Sequence, residues 1–205
     1  MIVFAIELST VRASVAICDD DCVLAEASWI EPRARHQRIF AETPRLLKDA
    51  GLDWPQIDLF AVGRGPGAFS GIRIGLMAAQ MFAMPLNKPV IAVSSGEALA
   101  SEIDADKVAI CGDARRGMFW FAVCEDRAMG AWKLCNEEDF ASKIPSAAIV
   151  ATPHWNQIVA LRDATKDSHR WLEGDQFPTA HAVARLARAI KISEPLEPIY
   201  LHPPV

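Results

Sequence analysis

Three short segments of the chain carry residue types that could bind a phosphate or a nucleotide. Glu7, Ser9 and Thr10 follow an apolar run, and a carboxylate with neighbouring hydroxyl groups can hold Mg²⁺ and phosphate, although the pattern favours an ordinary strand end with Ser9 or Thr10 in a turn. Segment 63–71 reads G-R-G-P-G-A-F-S-G, and the N–H groups of a glycine-rich loop can surround an anion. Segment 113–117, D-A-R-R-G, has two adjacent arginines that could contact an anion, with an ordinary solvated turn as the alternative. The candidate nucleotide- or anion-binding residues are Glu7, Ser9, Thr10, Gly65, Gly67, Arg115 and Arg116.

The glycine-rich segment departs from known phosphate-binding motifs in three ways. It is not followed by G-K-[ST], and no lysine occurs between Lys48 and Lys88. No acidic residue stands about twenty positions further on, where a dinucleotide-binding fold needs one. Pro66 also removes an N–H group that a phosphate would use. The pattern favours a structural turn or a partner contact over phosphate binding, with an ATP-dependent phosphotransferase or ATPase as the alternative.

Other catalytic chemistries have little support in the sequence. No two of the five histidines have the spacing of metal ligands on one helix face, and no G-x-S-x-G motif is present. The five cysteines form no C-x-x-C pair, which is typical of reduced thiols in an intracellular protein. We therefore expect no metal site, no cofactor and no catalytic residue.

The glycine-rich segment leads into a helix that we predict over residues 70–84, with Ser70 as its N-cap. Small residues form one ridge that lets another backbone come close: Gly71, Gly75, Ala79 and Ala83. Roughly opposite lie Arg73, Met77, Met81 and Met84. A surface helix normally has one polar face, whereas this helix is apolar nearly all round. We expect its own sheet to cover one side and another protein to cover the other; the alternative is a helix buried wholly within its own domain.

Length and composition indicate a globular protein. The chain has 205 residues, of which 51% are apolar and 23% charged, enough for one large domain or two small lobes. The net charge of −5 argues against a nucleic-acid surface on this chain alone. The N-terminus enters a strand without a signal peptide, and the longest uncharged run is too short to span a bilayer. We expect a cytoplasmic protein.

The first hundred residues predict the element order β-β-β-α-β-α-β-α. The strands are apolar runs at 2–7, 13–18, 22–29, 57–62 and 89–93, with a hairpin between the second and third. The helices are at 36–50, 70–84 and 95–103; Gly51 ends the first, and Pro44 should kink or restart it. Later elements are sparser, with strands at 108–111 and 118–124 and helices at 155–163 and 179–190. We predict an N-terminal lobe of residues 1–103 and a smaller, divergent C-terminal lobe of residues 104–205.

In their order along the chain, these motifs resemble those of the bacterial TsaB family, also called YeaZ. I-V-F-A-I-E-L-S-T at 2–10 is similar to the opening strand of that family, with Glu7 where an aspartate is usual. G-R-G-P-G-A-F-S-G-I-R-I-G is close to the family signature, with Ala68 and Ser70 in place of the common serine and threonine. V-S-S-G-E-A-L-A, D-A-R-R-G and P-I-Y-L follow in the family's order. The resemblance covers most of the chain.

The resemblance implies an α/β fold of the actin-like ATPase, sugar kinase and Hsp70 type, with a ribonuclease H-like first lobe. It implies a subunit without catalytic residues that pairs with TsaD, which holds the metal and nucleotide and threonylcarbamoylates adenosine 37 of tRNA. The TsaE ATPase would join the pair, tRNA contact would be indirect, and a homodimer could form without TsaD. A self-sufficient homodimer with another role is a third interpretation. The implied partner-binding residues are His36, Ile39, Phe40, Leu47, Ser70, Arg73, Ile74, Met77, Gln80, Met81 and Met84.

Overall fold

The computed structural model describes residues 1–31, 37–190 and 195–201 of the chain. The chain forms two compact units. The first consists of Met1–Ala98 and Pro178–Ile199, and the second of Leu99–Phe177 with the residues from Tyr200 onward. The prediction set the boundary after residue 103 and assigned all later residues to the second lobe. Pro178–Ile199 belongs to the first unit because its helix packs on the sheet of that unit.

The described residues form two β-sheets with helices between their strands. The strands are β1 (Ile2–Glu7), β2 (Arg12–Asp19), β3 (Cys22–Ile30), β4 (Leu59–Gly63), β5 (Val90–Val93), β6 (Lys107–Arg115), β7 (Met118–Glu125), β8 (Ala128–Met129), β9 (Lys133–Cys135), β10 (Ile149–Ala151) and β11 (Arg170–Trp171). The α-helices are α1 (Arg38–Ala50), α2 (Phe69–Ala83), α3 (Ser95–Ala100), α4 (Glu137–Lys143), α5 (Val159–Thr165) and α6 (Ala180–Ala189). Short 3₁₀ helices lie at Trp54–Gln56 and Met84–Leu86.

The sheet of the first unit has the strand order β3-β2-β1-β4-β5. β1 pairs antiparallel with β2 and parallel with β4, and β4 pairs parallel with β5. The predicted hairpin of β2 and β3 is confirmed, since the two strands pair antiparallel. The apolar run at the N-terminus is therefore a central strand with neighbours on both sides.

Helices cover both faces of this sheet. Alternate residues of β1 point to opposite faces, so that Phe4 and Ile6 pack with α1 and α2, whereas Val3 and Ala5 pack with α6. α2 connects the neighbouring parallel strands β4 and β5. It is a crossover helix that lies on the sheet.

The start of α1 differs from the prediction, while its end agrees with it. α1 begins at Arg38, and the predicted first residue, His36, lies outside the described residues. Gly51 ends α1 with φ of 67° and an N–H that points back to the carbonyl oxygens of the last turn. Pro44 does not divide the helix, which runs as one element to Ala50.

The N-cap of α2 was predicted wrongly. α2 begins at Phe69, and its N-cap is Ala68 rather than Ser70. The N–H of Ala68 donates to the carbonyl oxygen of Ser9 at 2.6 Å, and this bond fixes the N-cap two positions earlier than the side-chain pattern suggests.

The sheet of the second unit has the order β11-β10-β6-β7-β8, and β9 also pairs with β7. The long hairpin of β6 and β7 confirms the two strands predicted around D-A-R-R-G. The sequence did not predict β8 to β11 or α4, because elements of two to seven residues show too little periodicity. The helix predicted at 155–163 begins only at Val159. The core of this unit includes Phe140, which stacks on Trp171 with ring centres 6.1 Å apart.

Candidate functional site

The inner face of α2 packs closely on its own sheet. Its buried residues are Gly71, Ile72, Gly75, Leu76, Ala78, Ala79 and Ala83. A Cβ atom added at Gly75 would lie 3.4 Å from the side chain of Val62 and 3.7 Å from that of Ile6. The backbone that the small-residue ridge lets approach is therefore that of the chain's own sheet.

The outer face of α2 is apolar and exposed. Phe69, Met77, Met81 and Met84 are 54%, 59%, 57% and 75% exposed. The methionines are spaced by four and three residues, so they form one stripe along the helix. Arg73 precedes the stripe by one turn, and its guanidinium lies 4.0 Å from the centre of the Phe69 ring. Burial of α2 wholly within its own domain, the alternative left open by the sequence, is wrong.

α1 adds an exposed aromatic ring beside this stripe. Phe40 is 49% exposed, and its ring meets the ring of Phe82 edge-to-face with centres 6.1 Å apart. Ile39 and Leu47, predicted as contact residues, are instead buried in the core of the first unit. We use the term α1–α2 surface for the exposed residues Phe40, Phe69, Arg73, Met77, Met81 and Met84.

The remaining predicted contact residues of α2 lie at the border of this surface. Ser70 is exposed, and Ile74 and Gln80 are half-buried. His36 lies outside the described residues.

The segment Phe69–Leu86 has the length and apolar composition of a membrane-spanning helix. However, α2 joins two neighbouring strands of one sheet and buries its inner face against them. An exposed apolar stripe on a helix packed in this way is typical of a contact with another protein.

The candidate nucleotide-binding residues of the first unit lie at the carboxyl ends of β1 and β4, beside the end of β5. These strands are parallel, and their carboxyl ends form the edge where open α/β sheets bind ligands. Glu7 ends β1, and its Oε1 accepts a hydrogen bond from Ser9 N at 2.6 Å. Gly65 N donates to Ser95 Oγ at 3.0 Å, and Ser95 N donates to Gly65 O at 2.9 Å. The structure thus places Glu7, Ser9 and Gly65 at one edge.

The glycine-rich loop closes this edge. Glu7 and Ser9 are 0% and 1% exposed, and Thr10 is also buried. A Cβ atom at Gly67 would overlap Ser9 O, and one at Gly63 would overlap the carboxyl group of Glu7. Because glycine has no Cβ, the loop lies directly on the strand end. Gly67 therefore packs directly against the backbone of Ser9.

The carboxyl group of Glu7 lies in surroundings that disfavour its charge. Burial raises the pKa of Glu7, and the hydrogen bond that Ser9 N donates to its Oε1 offsets this only in part. Glu7 Oε2 and Ser9 Oγ are buried without a hydrogen-bond partner in the described part of the chain. A proton on Oε2 would supply the missing donor, so the site suits a neutral acid. A neutral, buried acid is a poor ligand for Mg²⁺, which prefers carboxylates and water.

Comparisons with known proteins find similarity to TsaB and YeaZ. A family model for TsaD, tRNA N6-adenosine threonylcarbamoyltransferase, matches residues 30–129. An uncharacterised protein of Mycobacterium tuberculosis is 29% identical over 205 residues, covering 98% of this chain and 92% of that protein. The tRNA threonylcarbamoyladenosine biosynthesis protein TsaB of Escherichia coli is 34% identical over 136 residues, covering 64% of this chain and 58% of that protein. The structure of YeaZ from Pseudomonas aeruginosa, 25% identical, matches with a TM-score of 0.78 over 97% of this chain and 100% of that chain. The chain is a TsaB/YeaZ-like protein.

The fold of this TsaB/YeaZ-like chain extends to a wider group of proteins. The activator of 2-hydroxyisocaproyl-CoA dehydratase from Clostridium difficile, solved with bound ADPNP, matches with a TM-score of 0.52. The match covers 95% of this chain and 100% of that chain at 9% identity, so it shows the fold alone. The predicted α/β fold of the actin-like ATPase type is confirmed.

Arg115 and Arg116 lie in the second unit, at the exposed tip of the β6–β7 hairpin. Their φ angles are 67° and 54°, and the N–H of Arg115 donates to Asp113 Oδ1 at 2.7 Å. Asp113 N in turn donates to Nδ1 of His154 at 3.0 Å, and burial lowers the pKa of His154. Neutral His154 therefore anchors the base of the hairpin. The two arginines belong to a different unit from Glu7.

The sequence analysis did not single out three polar residues near the closed edge: Arg64, Ser95 and Glu97. Burial lowers the pKa of the half-buried Arg64, against the raising effect of Glu97 and Glu197. Burial also raises the pKa of Glu97, and the charge of Arg64 opposes it. Ile199 N donates to Arg64 O at 2.9 Å, so the P-I-Y-L segment joins this edge. All three residues belong to motifs that carried the family resemblance, and this was the signal that could have found them.

The described residues include no cluster of metal ligands, and four of the five cysteines are buried. Among the residues described, no three His, Cys, Asp or Glu side chains are placed to hold a metal ion. The cysteines are free, and Cys18, Cys111, Cys124 and Cys135 are buried. Burial raises the pKa of Cys18 to about 11, which suits a small core residue rather than a nucleophile.

Proposed function

We propose that this chain acts in tRNA threonylcarbamoyladenosine biosynthesis as the non-catalytic partner of a TsaD-type subunit. The observation that carries the proposal is the α1–α2 surface, where large apolar side chains are half or more exposed on a helix whose other face is buried. The relatives named TsaB support the pathway, and the TsaD family match includes both α1 and α2.

The composition of the surface fits a protein contact. Exposed apolar patches of this kind mark interaction sites, and unbranched methionines adapt to the shape of a partner. A contact of two helices on each side would bury about 1,600 Å², the usual size of a specific interface. The proposed contact therefore uses elements of the first unit, α1 and α2.

The closed strand edge supports a role without catalysis. Gly67 contacts Ser9 directly, and Glu7 is fully buried beneath the loop. In this proposal the chain uses no cofactor, and the partner supplies the metal, the nucleotide and the catalytic groups. A TsaE-type ATPase joins the pair in the cytoplasm, and tRNA contact is indirect because the chain is acidic, with a net charge of −5.

Replacing Met81 by aspartate tests the docking surface. Met81→Asp puts a charge into the apolar stripe and should weaken binding to the TsaD-type subunit of the same organism by about 2 kcal/mol or more, roughly 30-fold in Kd. Val159→Asp is the matched control, because Val159 is also exposed but begins α5 in the second unit. Both variants should unfold at the wild-type temperature. If Met81→Asp and wild type bound equally well to an immobilised TsaD-type subunit, the α1–α2 surface would not be the docking site.

Calorimetry with ATP and Mg²⁺ on the isolated chain tests whether the chain binds a nucleotide, as an ATPase or phosphotransferase would. The closed edge predicts no measurable binding. Micromolar affinity, about −8 kcal/mol, would instead favour an ATPase or phosphotransferase. A stable homodimer that ignores the TsaD-type subunit would favour the third interpretation, a self-sufficient dimer.

A further inference from the structure

One hydrogen bond ties the β6–β7 hairpin to the segment that follows β10. The N–H of Asp113 donates to Nδ1 of His154 at 3.0 Å. Only a ring nitrogen without a proton can accept this bond, so the ring is neutral and carries its hydrogen on Nε2. A doubly protonated ring has a hydrogen on both nitrogens and no acceptor left. Protonation of His154 therefore has to break this bond.

The imidazole ring is held in place from several sides. A Cβ atom added at Gly112 would overlap the ring of Trp120 and would lie 2.7 Å from Nδ1 of His154. The Trp120 ring meets the imidazole edge-to-face, with ring centres 6.0 Å apart. The backbone of His154 is fixed as well, since its N donates to Thr152 Oγ1 at 3.0 Å and its O accepts from Ile158 N at 3.1 Å. Loss of the bond would therefore move the hairpin rather than His154.

The surroundings of the ring favour its neutral form. Among the described residues, the charged groups that act on it are Asp113 of β6 and Asp175 in the segment after β11, whereas β7 contributes the uncharged Trp120 ring. Burial lowers the pKa of His154 and outweighs the two carboxylates, which raise it. The contribution of the ring to a closed hairpin is thus fully present above its ordinary pKa of 6.5, and it is lost as the pH falls toward the lowered pKa of the closed form.

The tip of the hairpin depends on the same residue, Asp113. Its Oδ1 accepts a hydrogen bond from Arg115 N at 2.7 Å. Arg115 and Arg116 have φ angles of 67° and 54°, a conformation that is costly for residues other than glycine. A proton on Nδ1 of His154 would attract the Asp113 carboxylate, which is the acceptor that holds this turn. Breaking one bond at the base of the hairpin thus weakens the next bond, at its tip.

We infer that His154 is a pH switch for the β6–β7 hairpin: the neutral ring holds the tip with Arg115 and Arg116 in one fixed place, and the protonated ring releases it. The switch lies wholly within the second unit and does not depend on the docking proposal. It controls whether two adjacent arginine side chains are presented at a defined position.

Hydrogen exchange of the full chain, followed by NMR at about pH 7.5 and about pH 5.5, measures the switch. The protection of the Asp113 amide, corrected for the intrinsic pH dependence of exchange, should fall about tenfold at the lower pH. The protection of the Ile110 amide should not change, because Ile110 pairs with both β7 and β10 in the middle of β6. Nitrogen-15 spectra of the ring should show Nδ1 of His154 without a proton at the higher pH.

His154→Asn is the variant that separates the switch from a general effect of acid. The asparagine oxygen takes the place of Nδ1 and can accept the same bond but does not titrate, so the protection of Asp113 should be equal at both pH values. His181→Asn makes the same substitution in α6 of the first unit and should keep the wild-type pH dependence.

Three results with wild type would each overturn the inference: equal protection of the Asp113 amide at both pH values, an equal loss at Ile110, or a proton on Nδ1 at about pH 7.5. A pH dependence that persists in His154→Asn would overturn it as well. Should that variant fail to fold, the three wild-type measurements decide.

Discussion

Replacing Glu7 by glutamine should stabilise the protein near pH 8. The new amide side chain would keep an oxygen that accepts the hydrogen bond from Ser9 N. Its NH₂ group would replace Oε2, which is buried and lacks a hydrogen-bond partner among the described residues. That group can donate to the hydroxyl of Ser9 or of Ser95, both of which lie at the same edge. Glu7→Gln therefore removes a buried ionisable group without changing its shape.

The sign and size of the effect follow from the burial of Glu7. Because burial raises the pKa of Glu7 above its ordinary value of 4.5, the folded chain binds this proton more tightly than the unfolded chain. The contribution of Glu7 to stability is fully present below about pH 4.5 and is lost as the pH rises through the folded-state pKa. An unsatisfied buried polar group lowers the free energy of unfolding by about 1–3 kcal/mol. For a chain of this size, a change of about 1 kcal/mol shifts the unfolding temperature by about 2–4 °C.

Urea denaturation of wild type and Glu7→Gln at pH 5 and pH 8 measures this effect. The gain in the free energy of unfolding should be about 1–3 kcal/mol at pH 8 and smaller at pH 5. Glu26→Gln, the same substitution at an exposed position of β3, should change stability by less than about 0.5 kcal/mol at either pH. If Glu7→Gln were less stable than wild type at pH 8, an ionised carboxylate would be part of the native site and the reasoning would be refuted.

Two glycine substitutions test the close contacts of α2 and its loop. Gly75→Leu should lower the free energy of unfolding in urea by about 1–3 kcal/mol, because Val62 leaves no room for a larger side chain; normal stability with loss of partner binding would place Gly75 on the interface instead. Gly67→Ala should lower the unfolding temperature more than Gly117→Ala, since only the former places a Cβ atom against Ser9 O. The Gly117 change should cost only the backbone strain of a positive φ, about 1–2 kcal/mol; equal costs would show that the loop is not in contact with the strand end.

Much of the first unit could be predicted from local pattern. The uninterrupted apolar run of β1 indicated a central strand, and the structure surrounds it with β2 and β4. Gly51 indicated the end of α1, because the C-cap position has a positive φ that favours glycine. The apolar composition of α2 indicated that both of its faces are covered, and the sheet covers one of them.

The candidate site was less predictable, because burial depends on distant parts of the chain. Glu7, Ser9 and Gly67 could be singled out by residue type as ligands, but their residue types did not show that the fold buries Glu7 and Ser9 and packs Gly67 against Ser9. Ile39, Phe40 and Leu47 all fit one helical periodicity, but they lie at different angles around α1. Ile39 and Leu47 therefore face the core, whereas Phe40 faces solvent. Helical periodicity shows that a stripe exists and leaves its exact width open.

The amino-acid order alone determined the strands of the first unit, the helix between β4 and β5 and its methionine stripe, because these depend on periodicities of two and 3.6 residues within single segments. Only the tertiary structure decided which face of α2 meets the sheet, that the glycine-rich loop lies on Ser9, and that α6 returns to the first unit. These outcomes depend on contacts between residues far apart in the chain, such as the 2.9 Å hydrogen bond from Ala180 N to Ser14 Oγ. No pattern within one segment carries that information.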